Sequence, residues 1–219
     1  MGVWADGLNA APMRQSLFDG KTFEGWEGDI NHTWRIENGT ITAGSHEVAA
    51  PRNEFLATTR TFENFDLRLK FKVDGRENIN AGVQFRTARI PNHHEVSGYQ
   101  ADIGPDVDGH LYDESRRRRM LATPDPNTLR KAQSATPANG WQTYRIRASG
   151  DRIQLWLNGV KTIDYREQDL NIATSGVIAL QVHGGMRGTV SYKDIEIIEL
   201  PHGRSTATPQ PGGSPASQN

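Results

Sequence analysis

The stretch FDLRLKFKV, Phe65 to Val73, alternates with a period of two. Phe65, Leu67, Leu69, Phe71 and Val73 fall on one side of an extended chain, and Asp66, Arg68, Lys70 and Lys72 on the other. A helix would spread these five apolar side chains around its axis. A strand gathers them on one face, so the segment predicts a half-buried β-strand. The pattern repeats outward. TYRIRAS puts Tyr144, Ile146 and Ala148 on one face. RIQLWLNG puts Ile153, Leu155 and Leu157 inward, and Asn158-Gly159 turns the chain into VKTIDY. TWRIENGTITAG reads as a hairpin on Asn38-Gly39, and GVIALQVHGG and TVSYKDIEIIEL add two more strands. No segment has the length, period and caps of a long amphipathic helix. Many short strands joined by Gly and Asn turns imply an all-β fold, an antiparallel sandwich or barrel.

The chain has 219 residues, enough for one sizeable core, and a formal net charge of -1. That balance gives no global attraction to nucleic acid or to an anionic membrane. The absence of cysteine excludes disulfides and thiolate chemistry, and suits both a reducing cytosol and a Cys-poor exported protein. No apolar run approaches the length of a membrane span. No charged and apolar signal pair opens the sequence, so a secretory signal is absent or was removed before this numbering begins. Residues 1–15 read as a poorly ordered leader and 16–200 as one domain. Residues 201–219, rich in Pro, Gly, Ser and Thr, read as a disordered tail.

Alternation also says what points away from the core. In AGVQFRTAR, Val83 and Phe85 face inward, so Gln84 and Arg86 should face out. In GYQADIG, Tyr99, Ala101 and Ile103 oppose Gln100 and Asp102. In VIALQVHGG, Ile178, Leu180 and Val182 oppose Gln181 and His183. Three strands thus each present two hydrogen-bonding side chains away from the core. Amides, carboxylates and guanidinium groups suit a polyhydroxylated ligand, whose hydroxyls both donate and accept. The same pattern is open to a second reading, a solvated outer face. Exposed strand faces usually carry Lys, Glu and Thr, whereas Gln-x-Arg, Gln-x-Asp and Gln-x-His recur here.

The following segment is dense in chemistry. Gly104, Pro105 and Gly109 bend the chain, and HLYDESRR should fold over the polar face as a loop. Asp113 and Glu114 would supply bases, Tyr112 a stacking surface, and Arg116 to Arg119 an anion contact or a means of holding carboxylates ionised. Four consecutive arginines also fit a solvated basic loop, and no aromatic interleaving supports nucleic-acid binding. His93-His94-Glu95 lacks metal-protease spacing. Asp106, Asp108 and Asp113 do not match a calcium loop, and Gly184-Gly185 reads as a turn rather than a phosphate cradle.

LFDGKTFEGWEG, WRIENGTITA, NAGVQFRT, GYQADIG, GHLYDESRR, WQTYRIRASGDRIQLWLNG and GVIALQVHGG with VSYKDIEIIEL follow one another in a familiar order. The chain resembles the domain of unknown function 1080 family, described as 3-keto-disaccharide hydrolases, over nearly all of residues 16–200. The resemblance implies a concanavalin A-like jelly roll with a concave face. It also implies export in Gram-negative bacteria, to the periplasm or medium, and cleavage of glycosides whose sugar is oxidised at C3. Many members carry GYEVQI where this chain reads GYQADI. That removes a carboxylate at residue 100 and leaves Asp102, Asp113 and Glu114 as the acidic candidates.

A C3 ketone acidifies the C2 hydrogen, so a base can remove it and the C1 oxygen leaves by β-elimination. Water adding to the enone completes a net hydrolysis without the carboxylate pair of ordinary glycosidases. In this scheme the base is His183 or Glu114. Gln84 and Arg86 polarise the ketone or bind hydroxyls, with Gln100, Tyr112, Asp113, Arg116 and Gln181 as further substrate contacts. Asp102 orients His183 or binds a divalent cation, calcium or manganese; no other cofactor is required. The competing expectation is a non-catalytic carbohydrate-binding module, since one fold serves both. A third, a basic-loop interaction domain, rests only on the arginine run.

Overall fold

The computed structural model describes residues 13–201. The chain runs through β1 (Arg14–Ser16), β2 (Trp26–Glu27), β3 (Trp34–Glu37), β4 (Thr40–Ser45), β5 (Glu54–Thr58), β6 (Phe65–Glu77), β7 (Ala81–Arg89) and β8 (Val96–Ile103). It continues through β9 (Leu111–Glu114), β10 (Arg119–Ala122), α1 (Pro126–Ser134), β11 (Gln142–Ser149), β12 (Arg152–Leu157), β13 (Val160–Arg166), β14 (Val177–Val182) and β15 (Arg187–Glu199). The strands form two antiparallel sheets, a jelly-roll sandwich. The first has the order β13-β12-β11-β6-β15-β4-β3, with β1 beside β15. The second has the order β10-β9-β8-β7-β14-β5-β2.

Alternation places the core where expected. Phe65, Leu67, Leu69 and Phe71 on β6 are buried against Val83, Phe85, Tyr99, Ala101 and Ile103 of the second sheet. Phe85 and Tyr99 stack with ring centroids 5.6 Å apart. Each of the larger apolar side chains among them contributes about 1.5–3 kcal/mol when taken from water. Asn38-Gly39 and Asn158-Gly159 have positive φ at both residues, the geometry that lets a two-residue turn follow the twist of its strands. The one helix among the described residues, α1, starts at Pro126 and is capped by Asp125, which accepts from the Asn127 and Thr128 amides.

Two boundaries differ from expectation. Arg14 and Gln15, read as leader, lie opposite Ile198 and Ile197 on β15. A three-residue strand is too short to show a period, and the long β15 runs on past β4, so β1 fills the free edge. The remaining leader residues before Met13, and the tail after Pro201, lie outside the described residues. The second difference is HLYDESRR, which is a hairpin and not a loop over the face. β9 and β10 extend the second sheet, with Glu114 opposite Gly98 and Arg119 opposite Asp113.

Candidate functional site

The outer face of the second sheet carries the polar rows. One row runs Phe55, Gln181, Gly82, Asp102 across β5, β14, β7 and β8. The next runs Ala57, Ala179, Gln84, Gln100, Tyr112, reaching β9. This face is not a solvated exterior: Gln84 and Gln181 are 0% exposed and Gln100 3%. Gln84 Nε2 donates to Gln100 Oε1, and Gln100 Nε2 donates to Asp102 Oδ1 at 2.7 Å. The chain of amides ends on a carboxylate, which fixes which way each amide points. Gln181 Nε2 reaches Glu114 Oε2 at 3.4 Å. Since β7 and β8 lie between β14 and β9, this contact closes over the two central strands and buries the glutamines beneath it. Gly82 provides the room: a Cβ there would lie 2.5 Å from the Gln100 amide carbon.

Burial raises both carboxyls. Asp102 is pushed up to about 7 by desolvation, against the Gln100 hydrogen bond and with help from the charges of Glu114 and Asp108. Glu114 is raised by burial and by the neighbouring Glu95 carboxylate. Tyr112, beside Gln100, is raised by burial and by the charges of Glu114 and Asp102. His183 stands at the end of β14, and its Nδ1 is 2.7 Å from the Gly184 carbonyl oxygen. A carbonyl only accepts, so Nδ1 carries a hydrogen, and in the neutral ring Nε2 keeps the lone pair. No hydrogen bond joins Asp102 to His183, so the expectation that Asp102 orients His183 fails. The Gly184 carbonyl does that work, and Asp102 holds Gln100.

The fold therefore gathers Gln84, Gln100, Asp102, Tyr112, Glu114 and Gln181 on one face, with His183 at its end. It sends three expected contacts elsewhere. Arg86 sits in a β-bulge: Phe85 lies opposite Tyr99 but Ala88 opposite Ser97, so β7 holds one extra residue. With φ of 46°, Arg86 leaves the outer face and is 3% exposed. Its guanidinium donates to the Glu63 carbonyl (2.9 Å), the Gly150 carbonyl (2.7 Å) and Asn64 Oδ1 (3.2 Å). Gly150 belongs to the β11–β12 turn, so Arg86 ties the second sheet to the first.

Asp113 and Arg116 also leave the site. On β9 Tyr112 and Glu114 face out, while Leu111 and Asp113 are 0% exposed and face in. Arg116 Nε donates to Asp113 Oδ1 at 2.9 Å and its guanidinium lies 4.5 Å from the Tyr99 ring centre. Arg117 bonds Asp113 and donates to Glu167 Oε2 at 2.6 Å, and the Tyr99 hydroxyl donates to the same oxygen at 2.7 Å. Burial opposes the Glu167 charge, but the Arg117 and Tyr99 bonds outweigh it and hold Glu167 at about 2. Glu167 follows β13, so this network clasps the edges of the two sheets together.

Sequence reading missed Glu95 and Asn53. Asn53 Nδ2 donates to Glu95 Oε1 at 3.0 Å, and Asn53 Oδ1 accepts from the Gly184 amide at 2.9 Å. The HHE run drew notice only as a metal motif; its position beside Glu114 comes from strand pairing. As for a cation, no three His, Cys, Asp or Glu side chains among the described residues converge as a ligand set. No helix among the described residues is long and apolar enough to cross a membrane.

No curated protein matches the chain. Among solved structures, a protein of Parabacteroides distasonis assigned provisionally as a glycosyl hydrolase has 19% identity and a TM-score of 0.62, covering 86% of this chain and 94% of that one. The carbohydrate-binding module CBM66 of Bacillus subtilis has 17% identity and a TM-score of 0.60, covering 80% and 96%. A β-glucanase of Bacillus licheniformis has 8% identity and a TM-score of 0.55, covering 88% and 100%. At such identities these likenesses speak for the fold, a concanavalin A-like sandwich used by both enzymes and binding modules. The sequence itself goes further: residues 14–198 match the 3-keto-alpha-glucoside-1,2-lyase-like domain, and the chain belongs to that family.

Proposed function

We propose that the protein cleaves 3-keto-glycosides on the outer face of its second sheet, by proton abstraction at C2 and β-elimination of the C1 substituent. One observation carries the reading. A histidine with a free Nε2 and a half-buried carboxyl whose pKa is raised by desolvation border the same amide-lined face. His183 Nε2 takes the C2 proton, and the electron pair moves into the C2–C3 bond as the C3 oxygen becomes an enolate. The amides of Asn78 and Asn80, which line a cavity with His183, are the donors suited to that oxygen, while the buried glutamine chain holds Glu114 in place through Gln181. Collapse of the enolate breaks the C1–O bond, and protonated Glu114 gives its proton to the departing oxygen. Asp102 positions the amides through Gln100. Addition of water to the enone gives a net hydrolysis. Export to the periplasm or medium is part of this proposal.

The test is release of a chromophore from a 3-keto-glucoside and from its unoxidised parent. Release from the keto compound alone is expected. His183→Ala and Glu114→Gln should each lower turnover by about 100-fold or more. Full turnover in both variants would sink the assignment of roles. Loss of turnover in EDTA, restored by calcium or manganese, would bring a divalent cation into the site. No release from the keto compound, with saturable glycan binding, would make the chain a binding module.

A further inference from the structure

Two cavities open on either side of Asn53. The smaller, about 260 Å³, holds His183 with Asn78, Asn80 and Asp106. Its groups are amides, a carboxylate and an imidazole, the set expected for a sugar ring. The larger, about 770 Å³, is bordered by Phe55, Arg52, Arg89, Pro91, His93 and His94. Asn53 joins them, since it holds the amide of Gly184 beside His183 and the carboxylate of Glu95 beside His94.

The larger cavity has a different chemistry. The His93 and His94 rings stack with centroids 4.3 Å apart and planes 25° apart, and the Pro91 ring lies on the same short connection. Its acids are already engaged. Glu54 accepts from Arg52 at 2.8 Å, and Asp29 bonds the His32 ring and the Thr33 hydroxyl at 2.9 and 3.1 Å. Arg89 is held by Glu27. The wall thus offers flat surfaces and few free acceptors, which suits a planar ring better than a second sugar.

We propose that the cavity beside His94 receives the leaving group, and that the preferred leaving group is aromatic. This rests on the reading of the chain as a 3-keto-glycoside-cleaving enzyme. It assigns the oxidised sugar to the His183 side and the ring of a phenolic aglycone to the His93–His94 stack, with the C1–O bond between them near Gln181 and Glu114.

The experiment compares phenyl and hexafluoroisopropyl 3-ketoglucosides, whose leaving groups are of similar acidity but differ in having a ring. The native protein should favour the phenyl compound in kcat/KM by about tenfold, the size of one stacking contact. In His94→Ala, and separately in His93→Ala, that ratio should fall towards one through KM, with a melt confirming that each variant is folded. A ratio near one in the native protein, or a ratio retained in both folded variants, overturns the aglycone assignment. Absence of release from either compound by the native protein overturns the cleavage reading beneath it.

Discussion

Gly82 shows what one missing side chain does for this site. It lies in the row with Gln181 and Asp102, and the space a Cβ would fill is taken by the Gln100 side chain. Gln100 is a flexible group, so Gly82→Ala should fold, but it pushes the amide off Gln84 and Asp102. We expect turnover of a 3-keto-glucoside to fall by about 100-fold, the scale of misplacing a reacting group, with a melting temperature within a few degrees of the native value. Steady-state kinetics with a thermal melt reads both. Native turnover in a folded Gly82→Ala protein would show that the amide chain has no part in the reaction.

At the scale of elements, the β7 bulge and the β9–β10 hairpin decide which residues share the polar face of the candidate site. One inserted residue turns Arg86 from a candidate ligand contact into a brace between sheets. Arg86→Ala removes three hydrogen bonds and leaves two carbonyl groups and one amide oxygen with fewer partners, at a cost of about 3 kcal/mol. For a domain of this size that lowers the melting temperature by roughly 6–12 °C. The KM for a 3-keto-glucoside should stay at the native value in the folded variant. A raised KM with native stability would return Arg86 to the site. The hairpin makes the same division by parity: Glu114 faces out to the site, and Asp113 faces in to Arg116 and Arg117.

For the whole molecule, burying ionisable groups on the polar face ties stability to pH. Asp102 titrates at about 7 in the folded chain and near its ordinary 3.8 when unfolded. Below about pH 4 both states hold the proton and there is no loss. As pH rises from about 4 to 7 the unfolded chain gives up the proton first, so folding stability falls, by up to about 4 kcal/mol, and then levels off. Asp102→Asn keeps an acceptor for Gln100 and never ionises. Its stability relative to the native chain should therefore rise between pH 4.5 and 7.5 in urea denaturation. Parallel profiles for the two proteins would show that Asp102 does not carry a raised pKa.

Period-two alternation by itself determined the strands, their inward faces and the all-β class, because side-chain direction in a strand is a local property of the backbone. For that reason Gln84, Gln100, Asp102, Gln181 and His183 were legible from Phe65-like stretches read one strand at a time. Ordered blocks of sequence carried the family in the same way. The tertiary structure alone decided the rest. A bulge changes parity at Arg86 without any mark in composition. Pairing of β9 with β8, not residue type, separated Glu114 from Asp113. The meeting of Gln181 with Glu114, and of Asn53 with Glu95, spans strands far apart in the chain. Such contacts depend on sheet order and curvature, which no local pattern encodes.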